Sequence, residues 1–234
     1  MQLFYAEDLC SQKEIVFDKN ESAHISKVLR LKEGEHLSVT NGKGSIFDCE
    51  LLLSTANRCI AKAVNETVCG KERSFNVHLA VAPTKNINRM EWLTEKAVEI
   101  GVDTLTFIVS EHSERRTVNT ERLDKIIISA LKQSVKAYKP EFCGVKTFDE
   151  FVKEFNSDCK YICTCNFEGR VMLKDDCKKG SSVIILIGPE GDFSDKEVVA
   201  AVQSGYKPVS LGSQRLRTET AALYALGNIH FINQ

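Results

Sequence analysis

No apolar run in this chain approaches the roughly 20 residues a helix needs to cross a bilayer, so an integral membrane role is not expected. The opening residues, Met1-Gln2-Leu3-Phe4-Tyr5-Ala6-Glu7-Asp8, lack a basic segment leading into an apolar core and do not read as a signal peptide. Neither sign of charge is in excess: 31 Lys and Arg stand against 32 Asp and Glu, for a net −1. A chain-wide field that would draw nucleic acid is therefore missing, and any such partner must meet a local basic surface. Repeats and low-complexity segments are absent as well. Cysteine is not scarce, but its count of nine is odd, and 234 residues can build a core without disulfide staples. The cysteines read as reduced, cytoplasmic side chains used as small hydrophobes. Cys163-Thr164-Cys165 lies in a β-like run, and no His/Cys set elsewhere completes a zinc pattern, so no metal is expected.

What is present falls into two grammars. Residues 3–68 read mostly as short strands, including 14–17, 37–40, 45–53 and 58–68, with Asn41-Gly42-Lys43-Gly44 as a hairpin turn. A helix opens at Glu21-Ser22 and runs to Arg30, with Ile25, Val28 and Leu29 on one face. Several short strands this close together predict a small β-barrel. The charged connector Gly70-Lys71-Glu72-Arg73 is the expected boundary, giving domains 1–72 and 73–234. Beyond it strands and helices alternate, which predicts an α/β domain. Residues 86–100 form a helix with Met90, Leu93, Ala97 and Ile100 on one stripe and Gly101 as its stop. A longer helix spans 119–138 and ends at Pro140. Residues 161–164 and 182–187 are short apolar runs suited to buried parallel strands. Ser194 caps a helix over 195–204 with Glu197 completing a capping box, 208–211 is a strand, and a last helix covers 218–231 behind Thr218 as N-cap.

The chemistry concentrates in two C-terminal segments, each between a strand-like and a helix-like run. In Ile187-Gly188-Pro189-Glu190-Gly191, glycines let backbone amides approach a ligand and proline stiffens the turn. The segment lacks the Gly-Lys-Ser/Thr ending of a P-loop and does not spell the dinucleotide fingerprint. Alone, it is as well read as a plain strand-to-helix turn. The second is Leu211-Gly212-Ser213-Gln214-Arg215-Leu216-Arg217-Thr218-Glu219-Thr220-Ala221, whose stretch from Leu216 to Ala221 crowds two charges and two hydroxyls at a strand end. Strand ends are where open α/β sheets bind ligands, although Arg217 and Glu219 also read as an exposed ion pair of little energetic weight.

These two segments, together with His24-Ile25-Ser26-Lys27-Val28-Leu29-Arg30 and the run from Arg89 to Val102, resemble the RsmE family of ribosomal RNA methyltransferases within the SPOUT superfamily. The resemblance runs from end to end. It implies a PUA-like β-barrel, then an α/β SPOUT domain with a trefoil knot; periodicity and composition say nothing of a knot. It further implies an S-adenosyl-L-methionine site made of Ile187, Gly188, Pro189, Glu190, Gly191, Leu211, Gly212, Leu216 and Thr218. Thr164-Cys165-Asn166 would add a third wall. Asp192 stands where the family often has a second glycine.

The implied reaction is methylation at N3 of one uridine in small-subunit (16S) ribosomal RNA. That nitrogen carries a proton at neutral pH, and a cation beside the uracil oxygens favours its loss. Arg217 is assigned this role for its planar fork of donors. Glu219 or Glu190 is the candidate base. Lys27, Arg30, Lys85, Arg89, Arg115 and Arg116 are candidate phosphate contacts, each taken singly better read as a solvated charge but together supported by the two-domain plan. The resemblance also implies a homodimer working on rRNA or the small subunit in the cytoplasm. Two alternatives stay open: a SPOUT enzyme acting on another rRNA or tRNA base, and an RNA-binding module that transfers no methyl group.

Overall fold

The computed structural model describes every residue except Met1, Glu72 and Asn166. Glu72 of the expected connector and Asn166 of the expected third wall thus lie outside the described residues. The chain divides into two compact units, Met1–Glu72 with Ile128–Lys139, and Arg73–Ile127 with Pro140–Gln234.

In the first unit, β1 (Leu3–Tyr5), β2 (Glu14–Val16), β3 (His36–Thr40), β4 (Ser45–Ser54) and β5 (Cys59–Val68) form one sheet in the order β1-β3-β4-β5-β2. Only β1 and β3 run parallel. Alternation does the folding here: Phe47, Cys49 and Leu51 of β4 and Cys59, Ala61 and Ala63 of β5 point into one apolar core with Phe4, Ile25 and Val39. Register shifts at Asp48/Cys49 and Leu51/Leu53 mark bulges, which bend and twist the long β4–β5 pair. The helix expected from Glu21 starts earlier and stops sooner. Asp18 caps α1 (Lys19–Ala23) through its carboxylate, and a π-helical turn over His24–Val28 follows. The wider π turn rotates the later side chains, so Ile25 is buried while Val28 is 66% exposed.

In the second unit, seven strands make a sheet whose pairings are all parallel. They are β6 (Val77–Val81), β7 (Thr104–Val109), β8 (Glu141–Thr147), β9 (Cys159–Cys163), β10 (Val171–Met172), β11 (Val183–Ile187) and β12 (Lys207–Ser210). Their order is β10-β12-β9-β11-β6-β7-β8. The helices are α2 (Ile87–Ile100), α4 (Phe148–Glu154), α5 (Leu173–Asp176), α6 (Asp195–Gln203) and α7 (Thr218–Ile232), together with the part of α3 (Thr120–Gln133) up to Ile127, its remainder belonging to the first unit. Both faces of the sheet are covered, which is why β11 is apolar at every position. Val183, Ile185 and Ile187 pack with residues of α2 and α7; Ile184 and Leu186 pack on the other side with residues of α4 and α6.

Three local details depart from expectation. Ile100 is 38% exposed, because the buried stripe of α2 continues through Thr94 and Val98 instead. The long helix ends at Gln133: Val135 takes a left-handed φ of 54°, and the amides of Val135 and Lys136 donate back to the carbonyls of Lys132 and Leu131. Thr218 is the first helical residue of α7 rather than its cap, a place held by Arg217 without a side-chain bond.

Candidate functional site

Neighbouring parallel strands deliver their C-terminal loops to one edge of the sheet. Along that edge β12, β9, β11, β6 and β7 stand side by side, so the segments after Ser210, Cys163, Ile187, Val81 and Val109 are adjacent although distant in sequence. A crevice beyond strand ends of this kind is the usual ligand site of open α/β sheets.

The two glycine-containing segments meet there. Thr218, freed from capping, donates its hydroxyl to the carbonyl of Gly188 at 3.1 Å, and both residues are buried. Ile187 and Pro189 are buried, Leu211 and Leu216 are half-buried, and Glu190, Gly191 and Gly212 are exposed. Apolar side chains thus flank open backbone. Gly212 has φ 131°, a conformation that favours glycine. At Gly188 the constraint is space: an added Cβ would stand 3.2 Å from the Phe193 amide nitrogen.

The alternative reading of Arg217 and Glu219 as an ion pair is not what this edge forms. Arg217 is exposed and forms no ion pair with Glu190 or Glu219 among the described residues. Glu219 is 6% exposed, and its Oε1 lies 3.6 Å from Nε of Arg89 at the start of α2. Its Oε2 is buried with no hydrogen-bond donor among the described residues. A desolvated carboxylate half-satisfied by protein is costly unless a further donor completes it.

The other candidate cations divide. Arg115 donates from Nε to the carbonyls of Thr84 and Lys85 and from Nη2 to that of Lys85 at 2.8 Å, which stitches the loop after β6. Lys85 pairs through Nζ with Glu114 at 3.1 Å, while its amide donates to Oε1 of Glu190 at 3.4 Å. Arg116 is exposed. Lys27 and Arg30 belong to the first unit, where both are exposed and Arg30 has a left-handed φ of 58°.

Sequence reasoning missed His112 and undervalued Asp192. His112, in the loop after β7, donates from Nδ1 to the carbonyls of Gly191 and Asp192 at 3.1 and 3.0 Å. These carbonyls, Asp192's foremost, raise its pKa above the ordinary imidazole value. No sequence signal marks a contact 79 or 80 residues away. Asp192 accepts from Thr164 Oγ1 and the Cys165 amide, joining the loops after β11 and β9. Beside them opens a pocket of about 300 Å3 lined by His112, Thr164, Phe167, Asp192 and Phe193 among others. Burial, with the Asp192 charge second, pushes the Cys163 and Cys165 thiols up, so neither is poised as a thiolate. Among the described residues no group of three or more His, Cys, Asp or Glu is placed to hold a metal ion.

Comparison with known proteins gives concordant matches. Residues 71–230 match the family model of an RNA methyltransferase domain, and residues 17–64 that of an RNA methyltransferase PUA domain. A crystal structure of a probable rRNA-methyltransferase from Porphyromonas gingivalis is 41% identical with a TM-score of 0.92, covering 100% of this chain and 98% of that one. Ribosomal RNA small subunit methyltransferase E from Neisseria gonorrhoeae, crystallised bound to S-adenosyl methionine, is 26% identical with a TM-score of 0.87, over 100% and 98%. The protein of that name from Buchnera aphidicola (Acyrthosiphon pisum) is 28% identical over 95% of this chain and 90% of its own length.

Proposed function

Because the chain belongs to the RNA methyltransferase family, we propose that it methylates N3 of one uridine in small-subunit ribosomal RNA, with S-adenosyl-L-methionine as donor. The observation that carries this reading is the buried bond from Thr218 to the Gly188 carbonyl, which closes the two loops against each other. The names of the Neisseria and Buchnera relatives support the substrate, and the ligand bound to the Neisseria protein supports the donor.

The residues fit such a donor. Half-buried Leu211 and Leu216 offer apolar faces for an adenine ring, and the backbone around Ile187, Gly188, Gly191 and Gly212 offers donors and acceptors, unscreened by Cβ atoms at the three glycines. The unsatisfied Oε2 of Glu219 is a ready acceptor for a polar hydrogen. Bound there, the sulfonium supplies an electrophilic methyl group.

What the chain must do is bring up the uracil and manage one proton. The N3–H bond breaks, its electron pair forms the new N3–CH3 bond, and the methyl–sulfur bond gives its pair to sulfur. Arg217, exposed and without a carboxylate partner among the described residues, is the proposed fork beside the uracil oxygens, where negative charge grows. Glu219 is the proposed acceptor of the N3 proton; Arg89 holds its other oxygen. Glu190, exposed and bonded to the Lys85 amide, is less suited. RNA phosphates would be met by Lys27, Arg30 and Arg116, with Lys85 and Arg89 contributing only by releasing Glu114 and Glu219. Arg115 acts through the loop it stitches.

The trefoil knot and the homodimer belong to this proposal too. After β11 the chain forms β12 beyond β9, then returns as α7 to pack on α2, β6 and β11, a path consistent with threading. Trp92 of α2 and Tyr224 and Phe231 of α7 are 48, 50 and 76% exposed, apolar area that a second copy would cover. Among the described residues no helix is long and apolar enough to span a membrane; a cytoplasmic place of work belongs to the proposal through its ribosomal RNA substrate.

Titration calorimetry with S-adenosyl-L-methionine separates this reading from a pure RNA-binding module, which would give no binding heat. Primer extension on small-subunit rRNA then separates it from an enzyme of another base. A methyl at N3 stops the polymerase at one uridine, and read-through at every uridine would contradict the assignment.

A further inference from the structure

We infer that Asp192 is a positioning residue that holds the 188–191 loop in its binding form by tying three strand ends together. The inference builds on the proposed reading of that loop as the donor site.

The loop needs such a tie. Two of its four residues are glycines, which confer many backbone states, and a loop that must be ordered by its ligand loses affinity to the ordering. Asp192 follows directly, in a left-handed conformation with φ 61°. For a residue with a Cβ that conformation is strained, least so for Asp and Asn, whose short side chains bond locally. The compensation is visible in full. Oδ1 accepts from the Phe193 amide at 2.8 Å, while Oδ2 accepts from the Cys165 amide at 2.7 Å and Thr164 Oγ1 at 3.0 Å. The Asp192 amide donates back to the Pro189 carbonyl at 3.0 Å, which closes the turn.

Two sets of bonds reach out from this loop to its neighbours on the edge. Thr164 and Cys165 follow β9, which pairs with β11 up to Cys163 opposite Ile187. His112 follows β7 and grips the Gly191 and Asp192 carbonyls from the opposite side. The loop is thus held by its side-chain carboxylate toward β9 and by its carbonyls toward β7. A carboxylate accepting three donors, two of them backbone amides, is among the stronger uncharged-donor arrangements available. It also leaves the Gly188 carbonyl fixed where Thr218 bonds it. Asp192 need not touch the donor to set its affinity.

Three variants test this by calorimetry and steady-state kinetics. Asp192→Gly keeps the backbone conformation accessible and deletes the carboxylate. It should raise the Kd and KM for S-adenosyl-L-methionine about tenfold, with kcat at saturating donor changed less than about threefold. Asp192→Asn, which retains one acceptor oxygen, should recover about half of that loss on a logarithmic scale. Thr164→Val should weaken binding on its own but add little in the Asp192→Gly background, since the two share one bond. Wild-type Kd and KM in Asp192→Gly, or a fall in kcat with KM unchanged, would overturn the inference. Should the unaltered protein show no binding heat, it is the donor reading that fails. Amide exchange at Gly188, Glu190 and Gly191 then decides the tie by itself: faster exchange in Asp192→Gly upholds it, and equal exchange refutes it.

Discussion

Gly188 and Arg217 ask different things of one site, and substitution tells them apart. A side chain at Gly188 meets the Phe193 backbone at 3.2 Å and cannot be absorbed by a rotamer change, so Gly188→Val must displace the turn. Binding of S-adenosyl-L-methionine should fall below calorimetric detection while the circular dichroism spectrum is kept; unchanged affinity would remove this turn from the site. Arg217 is exposed and pairs with no carboxylate among the described residues, so its loss disturbs little of the fold. Arg217→Ala should lower kcat by about 100-fold or more, the scale of a lost transition-state donor, with donor Kd changed less than about threefold. Equal loss of both would return Arg217 to a loop-holding role. Both residues were legible, because the turn and the charged strand end are written consecutively in the chain. Their partners were not. Thr218 to Gly188, Arg89 to Glu219 and His112 to Gly191 join residues brought together only by strand order, and local pattern carries no trace of that order.

At the scale of elements, legibility followed periodicity and caps. The helix α6 was readable to its cap, since Ser194 and Glu197 form the reciprocal capping box the sequence spells. Asn86 and Gly101 likewise bound α2. The strand β8 and helix α4 went unread. All five interior positions of β8 are half-buried, and Gly144 sits among them, so it shows neither alternation nor a continuous apolar run. Val135 ends α3 in a conformation β-branched residues rarely adopt, and nothing in its type announces it. The strand β6 supports a prediction of pH dependence. Its His78 is buried against Phe151 and Phe155, and burial lowers its pKa from 6.5 to about 4. The folded state therefore favours the neutral ring. That contribution is fully present above pH 6.5 and is lost as pH falls toward 4, by about 3 kcal/mol in total. Urea unfolding from pH 7 to 4.5 should show a smaller acid-side loss for His78→Gln than for the unaltered protein, and parallel curves would contradict it.

For the whole molecule, the two units carry separate cores, one of alternating β4–β5 positions and one of a parallel sheet buried on both faces. Composition told of neither unit's partner, because a net charge of −1 is silent about nucleic acid. The family models place RNA methyltransferase descriptions on both parts of the chain. The central claim is that the loops after β11 and β12 together hold a methyl donor for one ribosomal uridine. Its most direct test is nucleoside mass analysis of small-subunit rRNA from cells lacking this protein, before and after incubation with the purified protein and S-adenosyl-L-methionine. The account predicts that 3-methyluridine is missing beforehand and approaches one per rRNA afterwards. No gain of 3-methyluridine, or methylation of another base instead, would contradict it.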